Sequence, residues 1–499
     1  MGFCISETFS ESPVCGAICG VLWREGSLTE VSMSEQKQSC AQPETTTKKR
    51  AARRSCQFRV GKVRADLRGS VWYLSYHEQG QRRRPRVGPD KDVARQLAVQ
   101  INGQLEVGAP AALSFEPISL VELRERWLAR HEHVLRSSVQ TIRRYRAATE
   151  HLIRYLNTVS SIKLVSHLHT SHAEDFVRYL RTIRVAPNGH PHTAKRPLLD
   201  KGIQYILETC RTLFAYAMKR RHLSPYAENP FTALELGRLP IEHVRRIVLP
   251  TTEQQGGLLN SCDAWQFPVF LTLMLTGLRP GELVHLLLPD DLDFEQRLLF
   301  VRNRVNLDWQ VKTRNERKIP MLPCLSDVLR VLVGDRKTGP VILRRRFRTE
   351  RLPSWSNVSA AEAELTRRIQ VFESTNATVC SRGERSRLAR QLWTELGIVK
   401  TDRIRLEFMR LTKKLGLPEL TAPKTLRHLF ATTLQDANVD PLIRNELMGH
   451  SPASAIGGTS LGMTATYTHT RLDTKRRQLE VAFEQNPITR IAMEWTAAR

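Results

Sequence analysis

Apolar and polar positions alternate over Val71-Trp72-Tyr73-Leu74-Ser75-Tyr76, which predicts a strand with one buried face. Glu78-Gln79-Gly80 reads as a turn, and Arg82-Arg83-Arg84-Pro85-Arg86-Val87 as a second strand or extended arm. Asp90 to Leu105 looks helical. From Ser119 to Phe231 the apolar period is that of a helix. Val139, Ile142, Thr149, Leu152, Ile153 and Leu156 share one side, and Arg143, Arg144, Arg146 and Arg154 fill the other. Ile203, Ile206, Leu207, Cys210, Leu213, Phe214 and Ala217 repeat the pattern. Arg220-Arg221-His222 close that helix, and Asn229-Pro230-Phe231 ends the unit.

A linker, Thr232 to Pro250, leads to a region that opens on the capping pattern Thr251-x-x-Gln254. Within it, Phe267 to Leu275 predicts a buried helix, and Leu298 to Arg302 and Arg317 to Leu322 predict strands flanking a polar stretch. Residues 345–400, rich in Arg, Ser and Glu, read as a surface insertion. Phe408 to Leu417 is a further helix, and Leu472 to Phe483 a last, amphipathic one. Residues 34–57 hold almost no apolar side chains, the composition of a disordered segment. Translation beginning at Met33 would leave residues 1–32 out of the protein. Met1-Gly2 with Ser6 and Cys4 matches a lipidation pattern short enough to arise by chance. Val14 to Trp23 is too short, and lacks the preceding basic segment, for a signal peptide. The expected division is 1–57 disordered, 58–112 a small candidate module, 115–232 a helical domain, 233–250 a linker, and 251–490 a third domain with an insertion at about 345–400. The fold class is mainly α with small β-sheets, α+β.

Charge changes the picture. The chain carries 76 Lys+Arg against 50 Asp+Glu, a net +26, with pI near 10.2. That excess repels itself unless a polyanion is the working partner, and nucleic acid is the commonest one. A bilayer is not spanned, since nothing approaches 18 consecutive apolar residues. Nine cysteines without CxxC pairs indicate neither a zinc site nor a disulfide framework. A reducing, cytoplasmic setting at the nucleoid is the expected location. Arg83 and Arg84, with Arg82 and Arg86, make the hairpin either a minor DNA-binding module or a solvated basic loop. Arg143, Arg144, Arg146, Arg220 and Arg221 give the helical domain basic faces, which serve DNA contact or plain solubility.

The tyrosines point to chemistry. Eight of the nine lie at or before Tyr226, and Tyr467 alone occupies the rest of the chain. A phenol has a pKa near 10, so its use as a nucleophile needs strong local positive charge. The same region supplies it in Thr276-Gly277-Leu278-Arg279-Pro280-Gly281-Glu282-Leu283, Lys312, Lys424-Thr425-Leu426-Arg427-His428, Leu447-Met448-Gly449-His450 and Tyr467-Thr468-His469.

In order and local sequence these blocks resemble the tyrosine recombinase (phage integrase) family from Leu249 to about Phe483, with a looser likeness of the preceding helical region to the family's core-binding domain. The resemblance implies DNA cleavage by Tyr467, leaving a 3′-phosphotyrosyl link and a free 5′ hydroxyl, without ATP, metal or other cofactor. It makes Arg279 and Arg427 a guanidinium clamp on the phosphate, which suits the charge spread over non-bridging oxygens in phosphoryl transfer. It places Lys312 as the acid that protonates the departing 5′ oxygen, with Arg314 and Lys318 as nearby rivals. Lys424 stands where many members have His, and its role as acid or base stays open. His450 would donate to the phosphate or assist proton movement, and Glu282 is expected to orient its neighbours rather than touch DNA. His428 reads as a packed helix residue, and His469 as a cap on the tyrosine segment. The interval from His450 to Tyr467, with Gly457-Gly458 inside it, is longer than the family's usual one.

The implied partners are double-stranded DNA, a tetramer of this chain on DNA, and an accessory DNA-bending or excision factor. The helix from Leu472 is a candidate element for docking on a neighbouring copy. The reading is integration or excision of a mobile element. A type IB topoisomerase-like enzyme, a chromosome-dimer resolvase and a regulator that has lost catalysis are the alternatives.

Overall fold

Alternation in the first ordered segment builds a small sheet. In the computed structural model, described over residues 57–159, 162–186, 192–224, 227–238, 247–348, 351–450 and 470–499, strands β1 (Phe58–Val60), β2 (Val63–Arg68), β3 (Val71–Glu78), β4 (Gln81–Arg83) and β5 (Arg86–Gly88) pair antiparallel. β3 is central, with β2 on one side and β4 and β5 on the other. The predicted second strand is thus two short ones, because Pro85 has no amide hydrogen to continue a ladder. Two further strands, β1 and β2, precede the predicted hairpin. Val63, Ala65, Trp72, Leu74 and Tyr76 bury one face against Ala94, Ala98 and Ile101 of helix α1 (Lys91–Glu106). Asp90 caps α1 by accepting from the Asp92 and Val93 amides at 2.7 and 3.2 Å. The lipidation pattern, the Met33 start and the disordered stretch of the sequence reading lie outside the described residues.

The described residues divide into two compact units, one up to Gly108 and one from Ala109 onward. The second begins with helices α2 (Leu120–Ala129), α3 (Val139–Thr158), α4 (Thr170–Thr182) and α5 (Asp200–Lys219). One wide π-helical turn, Arg130–Val134, extends α2, and a two-residue pair, β6 (Arg184–Val185) with β7 (Arg196–Pro197), links α4 to α5. Leu123, Trp127, Leu152, Phe176, Leu207, Leu213, Phe214 and Phe231 form the shared core. Phe231 is fully buried, so Asn229-Pro230-Phe231 ends the domain by inserting into it.

The third region follows as α6 (Thr252–Asn260), α7 (Gln266–Thr276), α8 (Pro280–Val284), β8 (Leu287–Leu288), β9 (Leu292–Asp293), β10 (Leu298–Val301), β11 (Arg317–Pro320), α9 (Pro323–Val333) and β12 (Gly339–Pro340). Thr251 and Gln254 form the capping box read from sequence, each accepting the other's backbone amide, at 3.2 and 2.9 Å. Every residue of α7 is buried, as a uniformly apolar helix must be. β9, β10 and β11 make a three-stranded sheet in which Leu298 faces Pro320 and Val301 faces Arg317, and β8 pairs with β12.

Residues 345–400 are more than surface insertion. They form helices α10 (Val358–Asn376) and α11 (Arg382–Glu395), with their own core of Ala361, Leu365, Leu388, Leu392 and Trp393 packed on Leu287 and Leu307. Helices α12 (Thr401–Lys414), α13 (Lys424–Asp436) and α14 (Pro441–Met448) follow, then Leu472–Phe483 as predicted and an unpredicted helix, Pro487–Ala497. The last helix packs in cis, with Trp495 stacked on Phe267 at 4.7 Å between centroids. Among the described residues no helix is long and apolar enough to cross a membrane.

Candidate active site

Four elements bring the dispersed motif pieces together. α7 stops at Gly277, whose left-handed φ of 60° suits glycine, and a Cβ there would strike the Phe430 ring. The turn delivers Arg279 to the start of α8, where Pro280 fits the first helical position and the Arg279 amide donates to Glu282 Oε2 at 3.0 Å. Arg279 Nη1 donates to Glu282 Oε1 at 2.7 Å. Glu282 therefore holds both the backbone and the guanidinium of Arg279. Burial pushes the Glu282 carboxyl pKa up, but bonds from Arg317 and Arg279 outweigh it and leave the pKa below the usual range.

Arg427 comes from the first turn of α13 and is 6% exposed. Nη1 donates to the Gly277 carbonyl at 2.6 Å, and Nη2 donates to the Met448 carbonyl. No carboxylate pairs with Arg427 among the described residues. Burial, then the neighbouring Arg279 charge, pulls its pKa down to about 10, so it stays charged at neutral pH.

His450 follows α14, which ends at Gly449 in the left-handed conformation with φ 66°. Its Nε2 lies 3.3 Å from Arg427 Nη2. A guanidinium carries only donors, so Nε2 is the acceptor in this contact. The ring is exposed on one side, yet desolvation on the other, followed by the Arg427, Arg279 and Arg317 charges, lowers its pKa and favours the neutral imidazole.

Lys312 sits where the sequence placed it, on the connection between β10 and β11, and is exposed. Asn303 pins that connection: its Oδ1 accepts from the Val311 amide at 2.9 Å and its Nδ2 donates to the Arg314 carbonyl at 3.0 Å. Thr313 Oγ1 donates to the Gly449 carbonyl at 3.0 Å, so the neighbour of Lys312 is tied to the neighbour of His450. Lys318 lies on β11 over the Phe300 ring at 5.6 Å. Lys424, exposed at the start of α13, lies one turn before Arg427. His428 is half-buried beside them, its pKa lowered by burial and then by Lys424. Tyr467 and His469 lie outside the described residues. The residues bounding their segment, His450 and Thr470, line one cleft of about 390 Å³ together with Arg317, Lys318, Leu472 and Lys475.

Arg317 was missed by sequence reasoning. Its side chain is 5% exposed, Nη2 donates to Glu282 Oε2 at 2.6 Å, and Nε donates to the Leu447 carbonyl at 2.8 Å. In sequence it is one of several basic residues after Lys312, and only the distant partner Glu282 sets it apart.

Away from this cluster, the basic residues fall into groups with different partners. On the sheet of the first unit, the face opposite α1 carries Arg59, Arg64, Arg68, Arg82 and Arg86. Arg84 pairs with Asp66 at 3.0 Å and Arg83 with Glu78 at 3.7 Å. On α3, Arg143 is exposed, Arg144 lies over Tyr205 at 4.3 Å, and Arg146 pairs with Glu125 at 2.8 Å. Arg220 is exposed over Tyr216 at 5.8 Å, whereas Arg221 donates to the Pro110 and Ala111 carbonyls at 3.3 and 3.2 Å.

Arg279 and Arg317 on the Glu282 carboxylate, with Arg427 and the His450 imidazole beside them, make a strongly cationic cluster on a helical scaffold with a small sheet. Residues 251–473 match the phage integrase family, the family of tyrosine-type, site-specific recombinases that break and rejoin DNA. Similar solved structures include the Tn1549 transposon integrase (residues 82–397) in complex with circular intermediate DNA. It is 19% identical, with TM-score 0.44, covering 73% of this chain and 99% of that one. A phage lambda integrase dimer bound to a COC′ core site is 15% identical, with TM-score 0.42, covering 81% and 95%. A lambda integrase tetramer bound to a Holliday junction is 16% identical, with TM-score 0.43, covering 80% and 99%. No curated protein sequence matches this chain.

Proposed function

We propose that the cluster of Arg279, Arg427 and His450 binds the scissile phosphate of duplex DNA and that Tyr467 attacks it. The observation that carries this reading is Arg427, buried and charged with only carbonyls and an imidazole for partners. At an effective dielectric of about 20, unit charges 4 Å apart interact by about 4 kcal/mol. A phosphate at this position therefore offsets the cost of burying the guanidinium.

In the forward step the Tyr467 oxygen forms a bond to phosphorus and the bond from phosphorus to the 5′ oxygen breaks. The tyrosine proton passes to neutral His450 or to solvent, and Lys312 supplies a proton to the 5′ oxygen. The ester keeps the energy of the broken bond, so attack by a 5′ hydroxyl on the phosphotyrosine reverses the step and reseals either strand. Arg279 and Arg427 face the non-bridging oxygens, with Glu282 fixing Arg279. Lys424 adds positive charge beside Arg427.

The arginine face of residues 58–112 is read as an accessory DNA-binding module, and residues 115–232 as the core-binding domain, with Arg143, Arg144 and Arg220 as its phosphate contacts. Arg83, Arg84 and Arg146 reach DNA only by exchanging their carboxylate partners, and Arg221 serves the fold. Recombination needs two cuts on each of two duplexes, which requires four active sites and hence a tetramer on DNA. Integration or excision of a mobile element, with an accessory bending or excision factor, is the proposed setting. A nicked suicide substrate tests the reading: a covalent adduct is expected, joining of two duplexes distinguishes recombinase from topoisomerase, and no adduct would leave a DNA-binding regulator.

A further inference from the structure

The buried arginine outside the motif pieces ties the site together. We propose that Arg317 is a positioning residue for the cleavage reaction: one guanidinium that locks the elements bearing Arg279, Lys312 and His450 into a single register. This inference rests on the phosphate-site reading above.

Each contact of Arg317 goes to a different element. Its own strand, β11, closes the connection that carries Lys312. Nη2 donates to Glu282 Oε2, the oxygen that also accepts the Arg279 amide, so Arg317 and Arg279 share one carboxylate. Nε donates to the Leu447 carbonyl in the last turn of α14, three residues before His450. Gly449 presses on the same guanidinium, and a Cβ there would stand 2.7 Å from Nη1. A glycine suits position 449 both for its positive φ and for this approach.

The charge balance makes the arrangement more than packing. Glu282 is 3% exposed and would be a costly buried anion with Arg279 alone turned toward a phosphate. Arg317 keeps the carboxylate ionised when Arg279 is recruited to DNA, and an ionised Glu282 keeps Arg279 aimed. Nη1 of Arg317 is buried and finds no partner among the described residues. The residue is therefore held by two bonds of fixed geometry, which a lysine cannot reproduce, because an ammonium lacks the planar fork that reaches both acceptors.

The test compares wild type, Arg317→Gln, Arg317→Lys, Glu282→Gln and the Arg317→Gln/Glu282→Gln double variant in the full chain. Adduct formation on a nicked suicide substrate at saturating DNA is measured alongside DNA affinity and thermal melting. Arg317→Gln and Arg317→Lys should each slow adduct formation by about 10- to 100-fold, the usual cost of removing a partner that orients an active group. Affinity should stay within about twofold, since phosphate contacts across the whole interface dominate binding. The double variant should be no slower than the slower single, because both changes break one unit. Guanidinium ion added to Arg317→Ala should recover part of the rate, which restored bulk alone would not do. A wild-type rate in Arg317→Lys, additive losses in the double variant, or a loss entirely in affinity would overturn the proposal. If Arg317→Gln melts below the assay temperature, the Lys variant and the Glu282→Gln comparison decide it. Absence of adduct in the wild type itself would instead defeat the phosphate-site reading.

Discussion

Glu282 accepts from Arg279 and Arg317 while Arg427 donates to carbonyls, so the three arginines do different work. That difference separates aim from charge, and substitution can read it out. In the proposed mechanism Lys312 has a third task, to protonate the leaving 5′ oxygen. A general acid of this type contributes about a hundredfold to ten-thousandfold. Lys312→Ala should be slow by that factor on ordinary DNA and largely restored when sulfur replaces the bridging 5′ oxygen, because a thiolate leaves without a proton. Arg279→Ala should stay slow on both substrates, since in the proposed site its charge faces the non-bridging oxygens. Rescue of Lys318→Ala or Lys424→Ala in place of Lys312→Ala would move the acid role to that lysine.

The inserted helix α11 contacts the connection that carries Lys312. Trp393 Nε1 donates to the Leu307 carbonyl at 3.0 Å, and Arg385 Nη2 donates to the Asn306 carbonyl at 3.2 Å. His285 stacks on Trp309 at 4.6 Å and meets Trp393 edge-on at 4.8 Å. His285 is partly exposed by area, but two indoles enclose its ring, and burial pulls its pKa from 6.5 down to about 4. A folded-state pKa below the unfolded one means that the neutral ring stabilises the fold above pH 6.5, and that this is lost as pH falls toward 4. At about 1.4 kcal/mol per pH unit, the loss is at most about 3 kcal/mol. Chemical denaturation of wild type and His285→Gln between pH 7 and 4 should show a shallower dependence in the variant; parallel curves would mean that His285 does not titrate with unfolding.

Elements with strong periodicity or caps were legible in the sequence: α3, α5, the Thr251 cap, all of α7 and the helix Leu472–Phe483. The motif residues Arg279, Glu282, Arg427 and His450 also fall together as their order suggested. Other features were hidden for physical reasons. β1 and β2 alternate, but arginines on the outer face make Val63, Ala65 and Leu67 look like a polar stretch. In α11 four arginines mask the narrow stripe of Leu388, Leu392 and Trp393. Arg317 is a matter of tertiary pairing, which no local pattern contains.

At the scale of the whole molecule, charge and modularity set the expectations. With a net charge of +26, binding should be dominated by phosphate contacts. Neutralising roughly six to ten phosphates should cost about a thousandfold or more in affinity between about 50 and 200 mM salt. A flat titration would assign the charge another task. The first unit holds its own core and none of the proposed catalytic residues. A chain lacking residues 1–108 should therefore still cleave a core site while recombining a full site poorly. Loss of core cleavage by a folded truncation would place that unit within the catalytic assembly.

The nucleophile is the claim on which the rest turns, and one comparison tests it. Wild type and Tyr467→Phe are incubated with a nicked suicide substrate labelled on the 3′-phosphate side of the cut, and protein-linked label is quantified next to DNA affinity. Removing one hydroxyl leaves Arg279, Arg427 and the groove contacts in place. The expected result is an adduct in the wild type, none in Tyr467→Phe, and affinities within about twofold of each other, an effect near zero on a scale where 1.4 kcal/mol is tenfold. An adduct of undiminished yield in Tyr467→Phe would contradict the mechanism and assign the attack to another residue.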